Sequence, residues 1–377
     1  MKKPRYNAPL SNIKILDFST LLPGPMATLF FSEAGAQVIK IEHPEKGDHL
    51  RHYNPKWETD SLSFAMLNKG KKSLKLDLKQ VSKRKLLNPL ILEADIIVEQ
   101  FRPGVMKKFN LDFKTISKKR PDIIYCSITG FGQTGPNARI AGHDLNYIGN
   151  TGLLALSMGK NSSPVIPPVL IADIAGGSYP AILNILLALR KRDQTGEGSY
   201  IDISISECLF PLMFWAIGQG AVGEHWPKNG DSLFTGGSPR YQLYRTQDNK
   251  FLAAAPLEQK FWEKFCDLIK LENSLRDDSI DPQKTILRIT EIVAKKPAKH
   301  WKRLCREFDC CCSIVVNLKD AMKDPHFRRR GVFDREIKNS KEETLPALPL
   351  PIVKSLRSSD ADPKAPELGE HNKDFLF

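Results

Sequence analysis

The stretch Lys14–Glu42, KILDFSTLLPGPMATLFFSEAGAQVIKIE, decides the fold. Its two ends, Lys14–Phe18 and Gln37–Glu42, are short apolar runs of the kind that form buried strands. Between them Met26–Ala34 has the composition of a helix, and Gly24-Pro25 places a proline near its first turn. Strand, helix and strand in this order predict a βαβ unit with parallel strands.

The same alternation continues through the first half of the chain. Apolar residues recur at helical spacing in two further segments, and Pro89 should split the first of them. Gly196 supplies a helix stop after the second. Alternating strands and helices of this kind predict a Rossmann-like, doubly wound α/β large domain over residues 1–203. The segments are, in chain order, helix Lys79–Ala94, strands Asp95–Glu99 and Ile123–Thr129, helix Ile174–Arg192 and strand Ser199–Ile205.

The second half has a different pattern. Gly218–Pro239 is rich in Gly, Pro and polar residues without a clear period, which indicates a linker, assigned to residues 204–238. A hairpin and amphipathic helices follow, so we predict a smaller α+β domain at 239–331. For residues 332–377 we expect a return linker and a C-terminal arm that completes the large domain. The predicted hairpin strands are Tyr241–Arg245 and Phe251–Ala255, and the helices are Gln259–Ile269, Thr285–Ala294 and Ala298–Phe308.

The composition is that of an ordinary globular protein. Of 377 residues 41% are hydrophobic and only 7 are Cys, which excludes a disordered chain, a collagen repeat and a small disulfide scaffold. The formal net charge of +13 indicates an anionic partner. The Lys-rich runs are scattered and have no interleaved aromatic residues, so we expect no nucleic-acid binding.

Two segments bear on cellular location. Met1–Pro9 is charged but is not followed by an apolar run ending in small residues, so we expect no signal peptide and a cytoplasmic protein. The most apolar stretch, Ile174–Leu189, includes Asn184 and is shorter than the ~20 residues that span a bilayer. We therefore expect a buried helix and no membrane insertion.

Two motifs are weaker than they first look. Gly130–Gly135 fits G-x-G-x-x-G after a predicted strand, but Pro136–Arg139 does not open an amphipathic helix, which favours a Gly-rich turn over a dinucleotide site. Cys310, Cys311 and Cys312 lack the paired C-x-x-C spacing of a zinc site. We interpret them as free thiols in a core strand and predict no metal site.

Three ionisable residues stand in apolar or Gly-rich surroundings, namely His143, Asp173 and Glu258. Taken alone, each has an ordinary structural interpretation, since His143 could start a helix and Asp173 could be the N-cap of one. Asp173 is the strongest candidate because it follows the apolar run Val169–Ala172 and precedes a helix N-terminus. That position stabilises a carboxylate and can direct it at a ligand.

A series of short motifs resembles a known family. In order along the chain they match signatures of the class III CoA-transferase and α-methylacyl-CoA racemase (CaiB/BaiF) superfamily, and the likeness covers almost the whole chain. So many matches in one order are difficult to obtain by chance. They are Phe18–Glu42, Leu67–Ser73, Phe101–Gly104, Gly130–Pro136, Asp173 with Gly176-Gly177, Thr195–Gly198 and Leu368–His371.

Within this superfamily the chain is most similar to the racemase branch, and Gly142–Tyr147 carries that likeness. The resemblance implies epimerisation of 2-methylacyl-CoA thioesters through an enolate, with His143 and Asp173 as opposed acid/bases and Glu258 hydrogen-bonded to the histidine. The alternative is a CoA-transferase that moves CoA between carboxylic acids through an anhydride on Asp173. A CoA-binding relative without chemistry is a third alternative, and the acyl group stays open.

The implied reaction explains why these residue types are needed. A proton must leave the carbon beside the carbonyl and another must return to the opposite face, so one group acts as base while the other holds a proton. Their pKa values should lie towards neutrality, that of His143 through Glu258 and that of Asp173 through partial burial. Backbone N–H groups at the start of the Asp173 helix are expected to stabilise the enolate. We expect neither a metal nor a separate cofactor, since coenzyme A is part of the substrate.

The basic charge then has a specific partner, because coenzyme A carries several phosphate charges. Doubly wound sheets bind nucleotides at the loops after strand ends, where the sequence places lysines and an arginine. The loop Leu21–Gly24 should approach the pantetheine or the adenine. The predicted CoA-binding residues are Leu21, Leu22, Pro23, His43, Asn68, Lys69, Lys71, Lys72, Phe101, Arg102 and Met106.

The resemblance also implies a homodimer of interlocked, ring-like chains. The active site would then lie between the large domain of one subunit and the small domain of the other. Under this hypothesis Glu258 is supplied to the site by the other subunit.

Overall fold

The computed structural model of the protein describes residues 8–157, 159, 163–223, 225–359 and 362–376. The chain divides into two compact units, and the first is assembled from three separate segments. The first unit comprises Met1–Thr151, Pro167–Pro211 and Arg328–Phe377, and the second comprises Gly152–Ile166 and Leu212–Phe327.

A six-stranded parallel sheet forms the centre of the first unit. Its strand order is β5-β2-β1-β6-β7-β8, so the direction in which strands are added reverses between β1 and β6. This is the Rossmann arrangement, and the predicted doubly wound fold is confirmed. The strands of this unit up to β8 are β1 Lys14–Phe18, β2 Gln37–Glu42, β3 Lys56–Trp57, β4 Asp60–Ser61, β5 Lys72–Lys75, β6 Ile96–Glu99, β7 Ile124–Thr129 and β8 Ser199–Ser204. Of these, β3 and β4 form a separate hairpin.

Helices cover the sheet, and the central strands are buried along their length, as expected for parallel strands packed on both faces. The predicted helix over 79–94 is divided in two, with Pro89 in the first turn of the second piece. Up to β8, the α-helices of the first unit are α1 Pro23–Glu33, α2 Leu62–Asn68, α3 Val81–Lys85, α4 Asn88–Glu93, α5 Val105–Lys108, α6 Phe113–Ile116, α7 Asp144–Asn150 and α8 Tyr179–Thr195, and a 3-10 turn lies at His49–His52.

Helix α8 continues directly from a π-helix, Ala172–Ser178, and ends at Gly196 in the left-handed conformation. Together they make a helix of 24 residues, longer than the sequence interpretation allowed, and its length and composition alone would let it cross a membrane. Half of its most apolar window is buried inside the protein, and it packs on β7, β8 and α1. One face of this helix is therefore part of the core of the first unit.

The C-terminal segment returns to the edge of the large sheet. Gly70, just before β5, donates its N–H to the carbonyl of Lys364 at 2.8 Å. Lys75 and Asn372 exchange hydrogen bonds of 2.9 and 3.1 Å between backbone and side chain. The segment thereby covers the outer edge of β5.

The second unit is built on a three-stranded antiparallel sheet in the order β11-β10-β9. The predicted hairpin is confirmed, with Phe251 opposite Arg245. Residues 204–238, assigned to the linker, hold a 3-10 helix and an α-helix over residues 207–223, of which Leu209, Met213, Ala216 and Gly220 are buried. The remaining elements of the chain are α9 Phe214–Gly223, β9 Gln242–Arg245, β10 Phe251–Ala254, α10 Gln259–Ile269, α11 Pro282–Val293, α12 Ala298–Phe308, β11 Cys312–Ile314, α13 Leu318–Ala321, α14 Pro325–Arg329, β12 Glu336–Lys338, β13 Thr344–Pro346 and α15 Asn372–Phe375, with 3-10 turns at Leu154–Leu156, Glu207–Met213, Leu233–Thr235, Asn273–Leu275 and Lys354–Leu356.

Candidate active site

A cleft of about 480 Å³ opens at the carboxyl ends of β1, β6 and β7. The loop after β1 and the loop after β6 diverge here, because this is where the strand order reverses, and such a point leaves a crevice in an open α/β sheet. Both His143 and Asp173 line this cleft. The fold therefore brings together two of the three predicted catalytic residues.

The backbone of His143 is fixed at the start of α7. Its N–H donates to Oδ1 of Asn146 at 3.0 Å, and its carbonyl accepts from the N–H of Asn146 at 2.8 Å. The residue itself is exposed, so its imidazole stands in the cleft without being enclosed. The backbone of His143 is therefore held in place while its side chain stays accessible to a substrate.

The glycine-rich segment after β7 supports that helix. A Cβ atom on Gly130 would lie 2.4 Å from the ring of Tyr147, so only glycine allows α7 to pack this closely. The Tyr147 hydroxyl donates to the carbonyl of Gly142 at 2.5 Å, one residue before His143. The motif is a turn, as predicted, and it allows α7 to pack where His143 lines the cleft.

Asp173 lies in the first turn of the π-helix and is partly buried. Its backbone N–H donates to Oδ1 of Asp144 at 3.0 Å. Burial and the negative charge of Asp144 raise the pKa of Asp173 to about 6, although His143 acts in the opposite direction. The carboxyl group can therefore both hold and release a proton near neutral pH.

The expected enolate donors at this helix start are already in use. The N–H of Asp173 is bound to Asp144, and that of Ile174 donates to the carbonyl of Leu170 at 3.1 Å. The prediction that these two groups stabilise the enolate is wrong, because the chain satisfies them internally before a ligand arrives.

Two close contacts hold the π-helix against its neighbours. A Cβ on Gly176 would lie 2.5 Å from the carbonyl oxygen of Ile205, at the end of β8. Ser178 donates its hydroxyl to the carbonyl of Pro23 at 2.8 Å, in the first turn of α1. Single π-turns are often found at functional sites, and this one sets the position of Asp173.

A buried set of charges lies beneath the loop after β1. Nζ of Lys40 is 2.9 Å from Oδ2 of Asp48 and donates to the carbonyl of Ser19 at 2.7 Å. Oδ1 of Asp48 accepts from the N–H of Leu21 at 3.0 Å, and Leu21 has a left-handed backbone with φ of 62°. These bonds hold Leu21 in a conformation that a non-glycine residue seldom adopts.

Comparison with known proteins places this site in a family. The family model described as CoA-transferase family III matches residues 10–372. The chain belongs to that family. It is 29% identical over 374 residues to alpha-methylacyl-CoA racemase of Homo sapiens, covering 97% of this chain and 92% of that protein. It is 30% identical over 380 residues to succinyl-CoA:glutarate CoA-transferase of Homo sapiens, covering 98% and 85%. A CAIB/BAIF family protein from Brucella suis has the same fold, with a TM-score of 0.80, 27% identity and 98% of each chain covered.

These relatives show which family the chain belongs to, but they do not settle which reaction it catalyses. The family is one of enzymes, and racemase and CoA-transferase relatives match at similar identity. The cleft therefore has to be interpreted from its own residues.

Four of the predicted CoA-binding side chains are buried in the protein. Lys69 is ion-paired with Glu33, and Lys71 lies 3.4 Å from Asp17 and 2.9 Å from the side-chain oxygen of Asn68. Met106 packs in the core beside the sheet. Acidic partners on β1 and α1 hold the two lysines inward, where a charge must be paired. Contact of these four residues with CoA stays a prediction.

The other predicted CoA-binding residues are partly or fully exposed, except Pro23, which is buried. Leu21, Pro23, Phe101 and Arg102 line the cleft that holds His143, and Arg102 is exposed. These four residues come from the two loops at the reversal point. The remaining three lie elsewhere: Lys72 lines a separate cleft of about 470 Å³, His43 is exposed just after β2, and Leu22 packs at the start of α1.

Glu258 belongs to the second unit of this family III chain. It is exposed and occupies the N-cap position of α10, where its carbonyl accepts from the N–H of Phe261 at 2.9 Å. The carboxylate is therefore presented at the start of a helix.

Sequence reasoning missed two carboxyl groups of the site. Asp144 is buried and accepts from Asp173, and its place beside His143 in the Gly-His-Asp segment was the available signal. Glu99 ends β6 and comes directly before Gln100 and Phe101 of the cleft in the chain, and its Oε2 accepts from the N–H of Phe101 at 2.8 Å. Burial raises the pKa of Glu99 to about 7. Its signal was a single acid at the end of an otherwise apolar strand.

Proposed function

We propose that this family III protein is a racemase or epimerase of 2-methylacyl-CoA thioesters. The observation that carries the proposal is that a histidine and a carboxylic acid, His143 and Asp173, line one cleft at the reversal point of the sheet. Two separate proton-transfer groups are what inversion at a carbon requires. A racemase relative at 29% identity over nearly the whole chain agrees with this proposal.

The proposed reaction moves one proton off the α carbon and another onto its opposite face. In one direction Asp173 takes the proton as a carboxylate, the electrons form an enolate on the thioester, and His143 in its protonated form returns a proton to the α carbon. In the other direction the roles are exchanged. A pKa of about 6 for Asp173 suits both roles, because neither protonation state is rare near neutral pH.

The loops around the cleft would hold the CoA portion. Leu21, Pro23 and Phe101 offer apolar surface for the pantetheine arm, and the exposed guanidinium of Arg102 suits a phosphate group. Lys72 and His43 lie outside this cleft but are accessible, and we propose that they contact phosphate groups of CoA.

A second candidate function is CoA transfer between carboxylic acids. The Asp173 carboxylate would attack the thioester carbonyl, the C–S bond would break, and CoA would leave as the thiolate while an acyl anhydride forms. The CoA-transferase relative at 30% identity favours this alternative. His143 favours the racemase, because the transferase route has no need of an opposed base.

Isotope exchange distinguishes the two reactions. With one enantiomer of 2-methylbutanoyl-CoA in heavy water and no acceptor acid, we expect deuterium at the α carbon together with loss of optical rotation. His143→Ala and Asp173→Ala should abolish exchange, whereas Arg139→Ala, on an exposed side chain of the same loop region, serves as the control. No exchange, with hydroxylamine trapping an acyl group on Asp173, would reject the racemase.

We also propose that the enzyme is a homodimer in which Glu258 of one chain completes the site of the other. The support is the superfamily resemblance, together with the presence of Glu258 on a separate unit from His143. Heterodimers carrying His143→Ala in one chain and Glu258→Ala in the other test the sharing. Recovery of activity relative to either homodimeric variant is expected, and its absence would contradict the shared site.

A further inference from the structure

Three cysteines of the second unit meet in its core. Cys305 lies in α12, Cys312 opens β11, and Cys310 lies in the turn between them. Their Sγ atoms are all within 4.8 Å of one another. The sequence interpretation of Cys310 to Cys312 as thiols of one strand is therefore corrected: the strand holds only Cys312, and the overlooked partner is Cys305, one turn back on the helix.

The turn between α12 and β11 has an unusual backbone conformation, and it brings the cysteines together. Asp309 ends α12 with φ of 49°, and Cys311 follows with φ of 55°, so Cys310 stands between two left-handed residues. The carbonyl of Cys311 accepts from the N–H of Ala255 at 3.0 Å, at the end of β10. Non-glycine residues in this region cost about 1 kcal/mol or more each, yet the surrounding bonds hold both of them.

The surroundings of the cluster are apolar. Cys305 and Cys310 are buried among the aromatic and aliphatic side chains of the second unit, such as Trp301 and Phe265, and Cys312 is partly buried against them. Sγ of Cys312 also donates to the backbone carbonyl of Cys310 at 3.4 Å. The cluster is thus closed, close-packed and entirely of sulfur.

We propose that Cys305, Cys310 and Cys312 form a binding site for one thiophilic metal ion, with Cu(I) as its ligand. Sulfurs bound to one ion at ~2.3 Å lie about 4 Å apart, which the observed spacing accommodates with little movement. Soft thiolate ligands select Cu(I) and zinc over harder ions. Structural zinc takes four ligands and iron–sulfur clusters take four cysteines, whereas Cu(I) is satisfied by three. Among the described residues, only these three side chains contribute to the cluster.

Binding has a defined proton balance. Each Cu(I) displaces the protons of those ligands that are still thiols, leaving three thiolates and no change of oxidation state at sulfur or metal. The site is in the second unit and is independent of the proposed racemase chemistry.

The test is a Cu(I) titration of the reduced full-length protein, without oxygen and against bicinchoninate as a competing chelator. We expect one Cu(I) per chain, confirmed by native mass spectrometry, and proton release on binding. Cys305→Ser and Cys312→Ser should each weaken binding by at least about 100-fold, more than the loss of an outer-shell contact. Cys311→Ser is the matched control, because Cys311 is exposed, adjacent in the chain and outside the cluster, and it should bind as the wild type does.

Three results would overturn the proposal. The first is a wild type that cannot hold Cu(I) against the chelator, and the second is a Cys312→Ser variant with unchanged affinity. The third is freshly isolated protein with a disulfide among the three cysteines, if its reduced form takes up no Cu(I). Circular dichroism of each variant shows whether it is folded, and the wild-type stoichiometry tests the site even if Cys305→Ser does not fold.

Discussion

The two carboxyl groups Asp144 and Asp173 form the most consequential residue pair of the cleft. Asp144 accepts from the backbone of Asp173 and, after burial, is the main cause of its raised pKa. In Asp144→Asn the amide oxygen can still accept that bond, but the negative charge is gone. The pKa of Asp173 should then fall below about 6.

The pH profile of kcat/KM tests this effect. In the direction where Asp173 is the base, the wild-type rate should fall as pH drops below about 6, because the carboxylate is then protonated. Asp144→Asn should move this acid limb to lower pH with little change at high pH. An acid limb that stays in place would mean that another group controls it.

Glu99 gives a second prediction, on stability. Its pKa rises from 4.5 to about 7 through burial, so between these values the folded chain keeps a proton that the unfolded chain has lost. The free energy of unfolding should therefore fall as pH rises through this window, by an amount on the order of 2–3 kcal/mol. Glu99→Gln should remove this loss, since an amide does not ionise and its oxygen can still accept from Phe101.

Urea unfolding at about pH 5 and about pH 8 measures the change. Relative to the wild type, Glu99→Gln should gain stability between the two values, while the exposed Glu45→Gln should not. An equal pH dependence in the wild type and in Glu99→Gln would contradict the prediction.

At this scale the sequence predicted the residue types of the site better than their surroundings. His143 and Asp173 were recognised by motif, and both line the cleft. The burial of Lys69 and Lys71 was not predictable, because a lysine in a strand-end loop can face a ligand or turn inward. The choice depends on Glu33 and Asp17, which lie more than thirty residues away in the chain.

At the scale of elements, the π-helix Ala172–Ser178 is held by close contact at Gly176. Gly176→Ala would place a Cβ 2.5 Å from the carbonyl oxygen of Ile205, and backbone cannot move aside as a side chain can. We expect a loss of about 1–3 kcal/mol in stability, together with a lower kcat as Asp173 shifts.

Thermal unfolding and isotope exchange measure the two effects. Gly149→Ala is the matched control, because a Cβ there meets no atom within 4 Å and alanine favours a helix. A Gly176→Ala protein with wild-type stability and rate would show that the contact does not position the π-helix.

Elements with a strong local signal were predicted well. The strands Lys14–Phe18 and Gln37–Glu42 and the helices Gln259–Ile269 and Ala298–Phe308 have the predicted bounds, because apolar periodicity and stop residues coincide there. The π-turn was not predictable, since it arises from packing on β8 and α1. The edge strand β5 was missed because a lysine stands at each end of its four residues, and such a polar segment resembles a loop.

At the scale of the whole chain, one buried carboxylate joins distant parts of the first unit. Glu33 in α1 is ion-paired with Lys69, Arg335 and Arg357, the last at 3.3 Å. Burial would raise the pKa of Glu33, but these three cations outweigh it and lower the pKa. Its stabilising effect is therefore present above the unfolded value of 4.5 and is lost as pH falls through the folded value.

Glu33→Gln should leave three cations without their shared partner. We expect a loss of about 3–5 kcal/mol at neutral pH and faster hydrogen exchange in residues 335–357. Glu342→Gln, which removes an exposed carboxylate paired with Lys338 and Lys364, should change the stability far less, because exposed ion pairs contribute little. Equal losses in the two variants would contradict a central role for Glu33.

The first unit is assembled from three separate segments of the chain, and this has a consequence for biosynthesis. The edge of β5 is hydrogen-bonded to residues around Lys364 and Asn372, and Asn372 follows Lys75 by 297 residues in the chain. Until these residues are synthesised, the nascent chain carries an open sheet edge at β5, whereas the segment Leu212–Phe327 of the second unit is already complete. Newly made protein should for that reason depend on chaperones until the residues that cover β5 are released.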